Sequence, residues 1–333
     1  MTMDLALPAG LIPVLLLVLA AEFVNGWTDA PNAIATVVST RVLPPSVAVV
    51  MATVLNVVGA TAGTAVAATI GKGIVRAEVI DTVTIAAAML AIVTWSTLAW
   101  FRGLPTSESH ALVAALSGAG LVTAGPGALL WDGWRKVIIG LGFSSVLGFA
   151  GGFTLLIGIS WAFRRTPLGL ARRVFGRLQI LSAAFMAFSH GSNDGQKFIG
   201  VFTLALVLGG VLPEFRIPFW VILLCAVTMG VGTALGGWRI VRTMGLRLTK
   251  LEPYQGFAAE TAAATAIELA SRLGIPVSTT HTINTAIMGV GATRRLSAVR
   301  WGVGLEIVTA WVLTFPVCAL IAAIAALLLR WIF

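Results

Sequence analysis

Charge is scarce in this chain. Only 11% of its 333 residues are acidic or basic, while 58% are hydrophobic and the mean hydropathy is +0.97. So little polar surface cannot cover a soluble globule, and the composition reads as a polytopic membrane protein. Cysteine is nearly missing: Cys225 and Cys318 lie in apolar runs with no paired spacing, which gives neither a disulfide framework nor a metal site. Long loops are missing too, so no extramembrane domain is expected. The opening Met1-Thr2-Met3-Asp4 carries no basic region and no small-residue cleavage signature, and is expected to lead into a retained first span rather than to form a signal peptide. No His-Glu-x-x-His or Gly-x-Ser-x-Gly arrangement is present, so a membrane-embedded hydrolase using His190 and Asp194 as acid and base would lack a metal or nucleophile. The net charge of +9 comes from basic residues in short loops between apolar runs, the positive-inside pattern of a membrane protein, and not from a nucleic-acid-binding face.

Against this background one stretch stands out. Phe188 to Gly200 places His190, Asn193, Asp194 and Lys197 inside an otherwise lipid-soluble segment. A charge near the bilayer midplane costs ~3 kcal/mol on insertion scales, so Asp194 and Lys197 require a partner, a cavity or a ligand. Gly191 and Gly195 flank the polar residues, and they are expected to let the backbone leave the helix, as in the broken helices that bind transporter substrates. An earlier stretch, Asn25-Gly26-Trp27-Thr28-Asp29-Ala30-Pro31-Asn32, aligns with it and pairs Asp29 with Asp194. Leu104-Pro105-Thr106-Ser107-Glu108-Ser109-His110 likewise matches Ile275-Pro276-Val277-Ser278-Thr279-Thr280-His281, and each runs on to a Gly-x-Gly, at Gly118 and Gly289.

The chain therefore reads as a duplication. Apolar segments at 5–40, 45–70, 82–101, 104–122 and 137–162 are followed by a second series at 179–212, 216–238, 255–274, 275–292 and 302–329. If each segment crosses once, an odd count inverts the second half. The expected fold is an all-α membrane bundle of two inverted five-segment repeats with broken helices or re-entrant hairpins. Residues 1–163 and 179–333 form the repeats, and 164–178 form a basic linker. The arginines of that linker place it in the cytoplasm, which puts both termini outside the cytoplasmic membrane.

The two Pro-x-Ser stretches read as helix starts, with Ser and Thr capping free amides. Such an end is an anion site, and Ser107, Ser109, Ser278, Thr279 and Thr280 add hydroxyls, with Asn193 and Lys197 nearby. No arginine joins them. Asp29 and Asp194 would repel an oxyanion unless cations sat between, and Lys197 offsets only one charge. Asp29, Asn32, Asp194 and Asn25 are therefore candidate ligands for Na⁺ or H⁺. His110, His281, Glu22 and Glu260 are candidates for proton coupling, although for each histidine holding a hairpin together is an equal alternative. Glu108 interrupts the first hydroxyl run, either titrating or facing water. Phosphate and sulfate are both tetrahedral, and only phosphate carries a proton near neutral pH; Asp29 and Asp194 are the candidates to accept its hydrogen bond.

Asn25-Gly26-x-x-Asp29-x-x-Asn32-Ala33, Ser189-His190-Gly191-Ser192-Asn193-Asp194-Gly195-Gln196-Lys197 and Pro276-Val277-Ser278-Thr279-Thr280-His281 resemble the signatures of the inorganic phosphate transporter (PiT) family. The resemblance extends over nearly the whole chain, through Phe175-x-x-Leu178-Gln179 and Gly256-Phe257-Ala258-Ala259-Glu260. Thr28 and Pro31 depart from its usual residues. The resemblance implies a cation-coupled phosphate carrier of inverted-repeat fold, working as a homodimer, with no cofactor beyond Na⁺ or H⁺. Some bacterial members carry sulfate, so a sulfate permease stays open, and a passive anion channel is a third alternative.

Overall fold

The computed structural model describes residue 8 and residues 10–332, and these are helical with no strand among them. The opening residues read as the lead-in to a retained span lie largely outside the described residues. The first half runs through α1 (Leu11–Ser39), α2 (Pro45–Ala60), α3 (Ala65–Gly73), α4 (Thr82–Phe101), α5 (Glu108–Ala124) and α6 (Trp131–Ala162). The second half follows with α7 (Leu168–His190), a π-helical turn (Gly191–Gly195), α8 (Gln196–Leu208), α9 (Phe219–Ala234), α10 (Trp238–Arg242), α11 (Pro253–Arg272), α12 (Thr279–Ala292) and α13 (Trp301–Ile332). Among the described residues, α1, α4, α6 and α13 are long and apolar enough to cross a membrane, and two bent pairs bring the number to as many as six.

The breaks fall elsewhere than the motifs suggest. α1 is continuous through the whole first motif, with Pro31 inside it. At the second motif the chain widens into one π-helical turn without leaving the helical path. The true bends lie in the apolar segments expected to be single spans, 68° between α2 and α3 and 59° after α9. The basic stretch 164–178 is not all linker either, because α7 begins at Leu168.

Two segments in each half fold back on one another. Arg76, before α4, donates its N–H to the carbonyl of Ala128, beyond α5, at 2.8 Å. Arg300, beyond α12, donates to the carbonyl of Leu248, before α11, at 3.0 Å. The α4–α5 and α11–α12 pairs therefore return to the end they start from, as helical hairpins. Their tips are built alike: Gly103 and Gly274 take φ of +66° to leave the inward helix, a proline follows, and Ser107 or Ser278 caps the returning one.

Packing divides into two apolar cores. One gathers residues 11–21 of α1, α3, α4, α5, α8 and the far end of α13. The other gathers residues 33–37 of α1, α2, the end of α7, α11, α12 and the near end of α13. Along α1 the gap between them is Glu22 to Asn32, and along α7 and α8 it is His190 to Lys197. The polar motifs thus form a belt between two apolar layers.

Glycines set the helix crossings around that belt. A Cβ on Gly26 would overlap the backbone of Met229, and one on Gly191 would overlap that of Asn56. The same holds for Gly118 against Ala319 and Gly289 against Phe149. In a bilayer, where apolar burial drives little association, such small-residue contacts let backbones approach and supply the packing energy. The motif glycines serve close approach rather than helix breaking.

Candidate functional site: a polar belt between two apolar cores

The belt is buried and densely hydrogen-bonded. Lys197, fully buried one turn beyond the π-helical turn, donates to Asp194 on its own helix, to Ser109 at one hairpin tip, and to the carbonyl of Val277 at the other (3.1 Å). Ser109 also donates to that carbonyl at 2.8 Å, so the two tips are joined directly. Asp194 Oδ2, the oxygen that Lys197 does not hold, accepts from Thr279 at 2.8 Å, and His190 Nε2 lies 3.3 Å from the same oxygen. The lysine is thus committed to Asp194 and the tips.

Asp29 has no such partner. It accepts from Thr280 at a long 3.4 Å, and among the described residues no basic side chain lies within ion-pair distance. Asn32 links it to the second tip by donating to Thr279 and Thr280 at 3.2 and 3.0 Å. One ligand atom each of Asp29, His190 and Asp194 lies within 4.8 Å of the others. His190 Nδ1 lies 3.0 Å from the carbonyl oxygen of Asn56, whose own amide donates to Thr233, so Nδ1 carries a proton. Nε2 then faces two carboxylates. A lone pair there would repel them if both were ionised, so the cluster calls for a shared proton or a bound cation among the three groups.

The other candidates divide clearly. Ser107 and Ser278 accept from the amides of His110 and His281 at 3.4 and 3.1 Å and keep their own O–H free. Asn193 faces the second tip, donating to Ser271 at 2.9 Å and accepting from the Val277 amide at 3.4 Å. Asn25 does not join the aspartate cluster; its amide donates to Glu22 at 3.0 Å, one turn back on α1. Glu260 lies apart from the belt's centre and accepts from Thr36, Ser182 and Gln179, which reads as a satisfied structural acid. His110 and His281 meet edge to face at 4.3 Å, with His281 stacked on Trp311 at 3.6 Å, so they hold the hairpins against α13.

One participant, Asn56, was not named from sequence, and two that were, His190 and Glu108, find their places only in the structure. His190 is placed in the cluster itself. Asn56 orients it, and an asparagine inside an apolar run is the signal that marks it. Glu108 is 1% exposed and accepts from Thr28 at 3.0 Å, so it does not face water.

A sequence profile described as the Phosphate transporter family matches residues 25–173 and 166–322. The chain belongs to the phosphate transporter family. Among family relatives, a protein of Rhizobium meliloti named "Probable low-affinity inorganic phosphate transporter" is 45% identical over 97% of this chain and 96% of its own length. One of the same name from Bacillus subtilis is 40% identical over 97% and 98%. A solved structure titled "The sodium-dependent phosphate transporter" superposes with a TM-score of 0.90 at 27% identity, covering 97% of this chain and 99% of that one. These relatives are transporters, not enzymes, which removes the hydrolase reading.

Proposed function

We propose that this chain carries inorganic phosphate across the cytoplasmic membrane, driven by a cation that binds at Asp29 and Asp194. The observation that carries the reading is the convergence of Asp29, His190 and Asp194 on one buried point that needs a positive charge, directly beneath two hydroxyl-bearing helix starts. Na⁺ is the favoured coupling ion. Carboxylate, hydroxyl and amide oxygens are the hard ligands it takes, and the structural neighbour is titled sodium-dependent. The anion would be held by Ser107, Ser109, Ser278, Thr279 and Thr280, with Lys197 exchanging its tip contacts for phosphate.

We further infer that the halves are an inverted repeat. α5 packs on α13 and α12 on α6, so each half's returning hairpin helix lies against the other half's last helix. With the hairpins removed, three crossings remain in each half, and the count is still odd. The arginine-rich loops around 164–173, 247–250 and 294–300 gather at one end, which the positive-inside rule assigns to the cytoplasm. Alternating access then consists of the hairpins rocking and parting the Ser109–Val277 contact, in a homodimer.

Reconstituted protein should accumulate labelled phosphate in liposomes under an inward Na⁺ gradient, and Asp29→Asn and Asp194→Asn should each abolish accumulation. Uptake that follows a proton gradient alone would move the coupling to His190. Unsaturable flux indifferent to either gradient would make the protein a channel. Normal accumulation by either variant would show that the aspartates are structural.

A further inference from the structure

We propose that a cavity at the base of the α11–α12 hairpin binds the headgroup of an anionic phospholipid. The cavity holds about 560 Å³ between the end of α6, the start of α7 and the two ends of the hairpin. Glu252, which caps α11, and Arg294, just beyond α12, both line it, so it lies where the hairpin is rooted. Arg164 and Arg172 enter from the stretch that joins the two halves. Three guanidiniums thus reach one space from separate places in the chain.

The positive-inside pattern accounts for arginine at this end of the molecule, but not for its convergence. Arg165, Arg173 and Arg295, each beside one of the three in sequence, do not line the cavity. The lining arginines are only partly engaged. Arg172 donates to Glu252 at 3.1 Å, Arg294 donates to the Tyr254 hydroxyl at 3.0 Å, and Arg164 lies over the Trp161 ring at 5.3 Å. A guanidinium carries five N–H groups, so each keeps donors for a ligand. Among the described residues Glu252 is the one acid in the lining, and it offsets a single charge. What remains is a net positive cavity with forked donors, which is the chemistry that grips a phosphate group.

The walls select a lipid over a soluble anion. Ile159, Phe163 and Phe175 give the cavity apolar sides that a free phosphate has no use for. Around it Trp161 is 69% exposed, Leu168 84% and Leu170 52%, at the end of α6, a helix long and apolar enough to cross the membrane. Tryptophan beside arginine marks the level where headgroups meet acyl chains. A phosphate on the arginines with its acyl chains along these side chains uses both surfaces. Basic pockets between membrane helices favour anionic lipids, because a zwitterionic headgroup brings a cation of its own. The phosphate competes with Glu252 for Arg172, and so replaces an ion pair between α7 and the hairpin by a bridge through the lipid.

Titration of the full-length protein in detergent with phosphatidylglycerol or phosphatidylcholine of the same short acyl chains tests this. Native mass spectrometry counts the bound lipid, and the rise in melting temperature reports its affinity. The wild type should bind phosphatidylglycerol about tenfold or more tightly than phosphatidylcholine, a comparison that needs no variant to fold. Arg164→Gln and Arg294→Gln should each weaken phosphatidylglycerol about fivefold, the worth of one basic residue beside an anionic headgroup. Glu252→Gln keeps an acceptor for the α11 cap and removes the competing charge, so it should strengthen binding by a similar factor. Equal binding of the two lipids would overturn the proposal. Losses in Arg165→Gln and Arg295→Gln as large as those in the lining variants would do the same, since the attraction would then be diffuse surface charge. Release of phosphatidylglycerol by inorganic phosphate at equal concentration would also overturn it, because the cavity would then take a soluble anion. None of these readouts depends on transport.

Discussion

Replacing Lys197 by methionine isolates the electrostatics of the belt. The ammonium is fully buried, its donors go to Asp194, Ser109 and Val277, and Asp194 itself is 1% exposed. Methionine keeps the stem's volume and removes the charge. Asp194 is then left with Thr279 and the His190 ring as its neighbours. Removing one partner of a buried ion pair costs about 3–5 kcal/mol, because the remaining charge stays desolvated. Set against a total stability of roughly 5–15 kcal/mol, that loss is large. It corresponds to a fall in melting temperature on the order of 10 °C.

The informative experiment is the double-mutant cycle. Lys197→Met should melt well below the wild type, while Lys197→Met combined with Asp194→Asn should recover most of the difference, since no buried charge is then unpaired. The non-additivity should be at least as large as the cost of Lys197→Met itself, about 3–5 kcal/mol, because each single change strands the other charge. Thermal unfolding of purified protein in detergent reads it out. Transport should fail in every variant of the cycle, which separates stability from function. A Lys197→Met protein as stable as the wild type, or a double variant no better than the single, would mean that Asp194 is not held as a charge by Lys197.

The other predictions concern packing and topology. Gly191→Ala drives a methyl into the Asn56 backbone and should cost about 1–3 kcal/mol by overpacking, while Gly176→Ala, in open space on α7, should be neutral or stabilising by up to about 1 kcal/mol; equal melting temperatures for the two would refute the close-approach reading. Cysteines placed at exposed Gly169 and Lys250 should both be shielded in intact cells from an external impermeant thiol reagent, and one at Glu214 should react. The native Cys225 and Cys318 are buried and give no background, so any exchange of those outcomes would overturn the proposed orientation.

The sequence made the belt legible because a lipid-soluble chain has few reasons to bury Asp29, Asp194 or Lys197, and repetition of the flanking residues linked the motifs to one another. It located the helix starts at Ser107 and Ser278 for an equally local reason, since a cap is written in adjacent residues. It misjudged the breaks. Proline and glycine are locally disruptive, but Pro31 sits within an unbroken α1, and Gly191 is set by the approach of α2 from more than a hundred residues away. The hairpins escaped single-crossing counting because an apolar re-entrant helix and an apolar span share one composition. What the structure adds is that each pair folds back, Arg76 meeting Ala128 and Arg300 meeting Leu248, with the two tips in contact through Ser109 and Val277.

The proposed inversion does not depend on whether the hairpins cross, for a physical reason. A re-entrant pair contributes two segments and no net crossing, so removing it changes five to three and leaves the inversion untouched. On that reading the two hairpin tips come together from opposite ends, and Ser109 donates to the carbonyl of Val277. Two helix starts facing one another present converging N–H groups and hydroxyls, an arrangement that favours an anion without arginine. The acids one layer away then need cations for the same reason that the tips need an anion. On the proposed reading neither charge is comfortable in the belt without the other, and that mutual requirement would be the physical basis of coupling: a site at this depth would be most stable when it is empty of both or holds both.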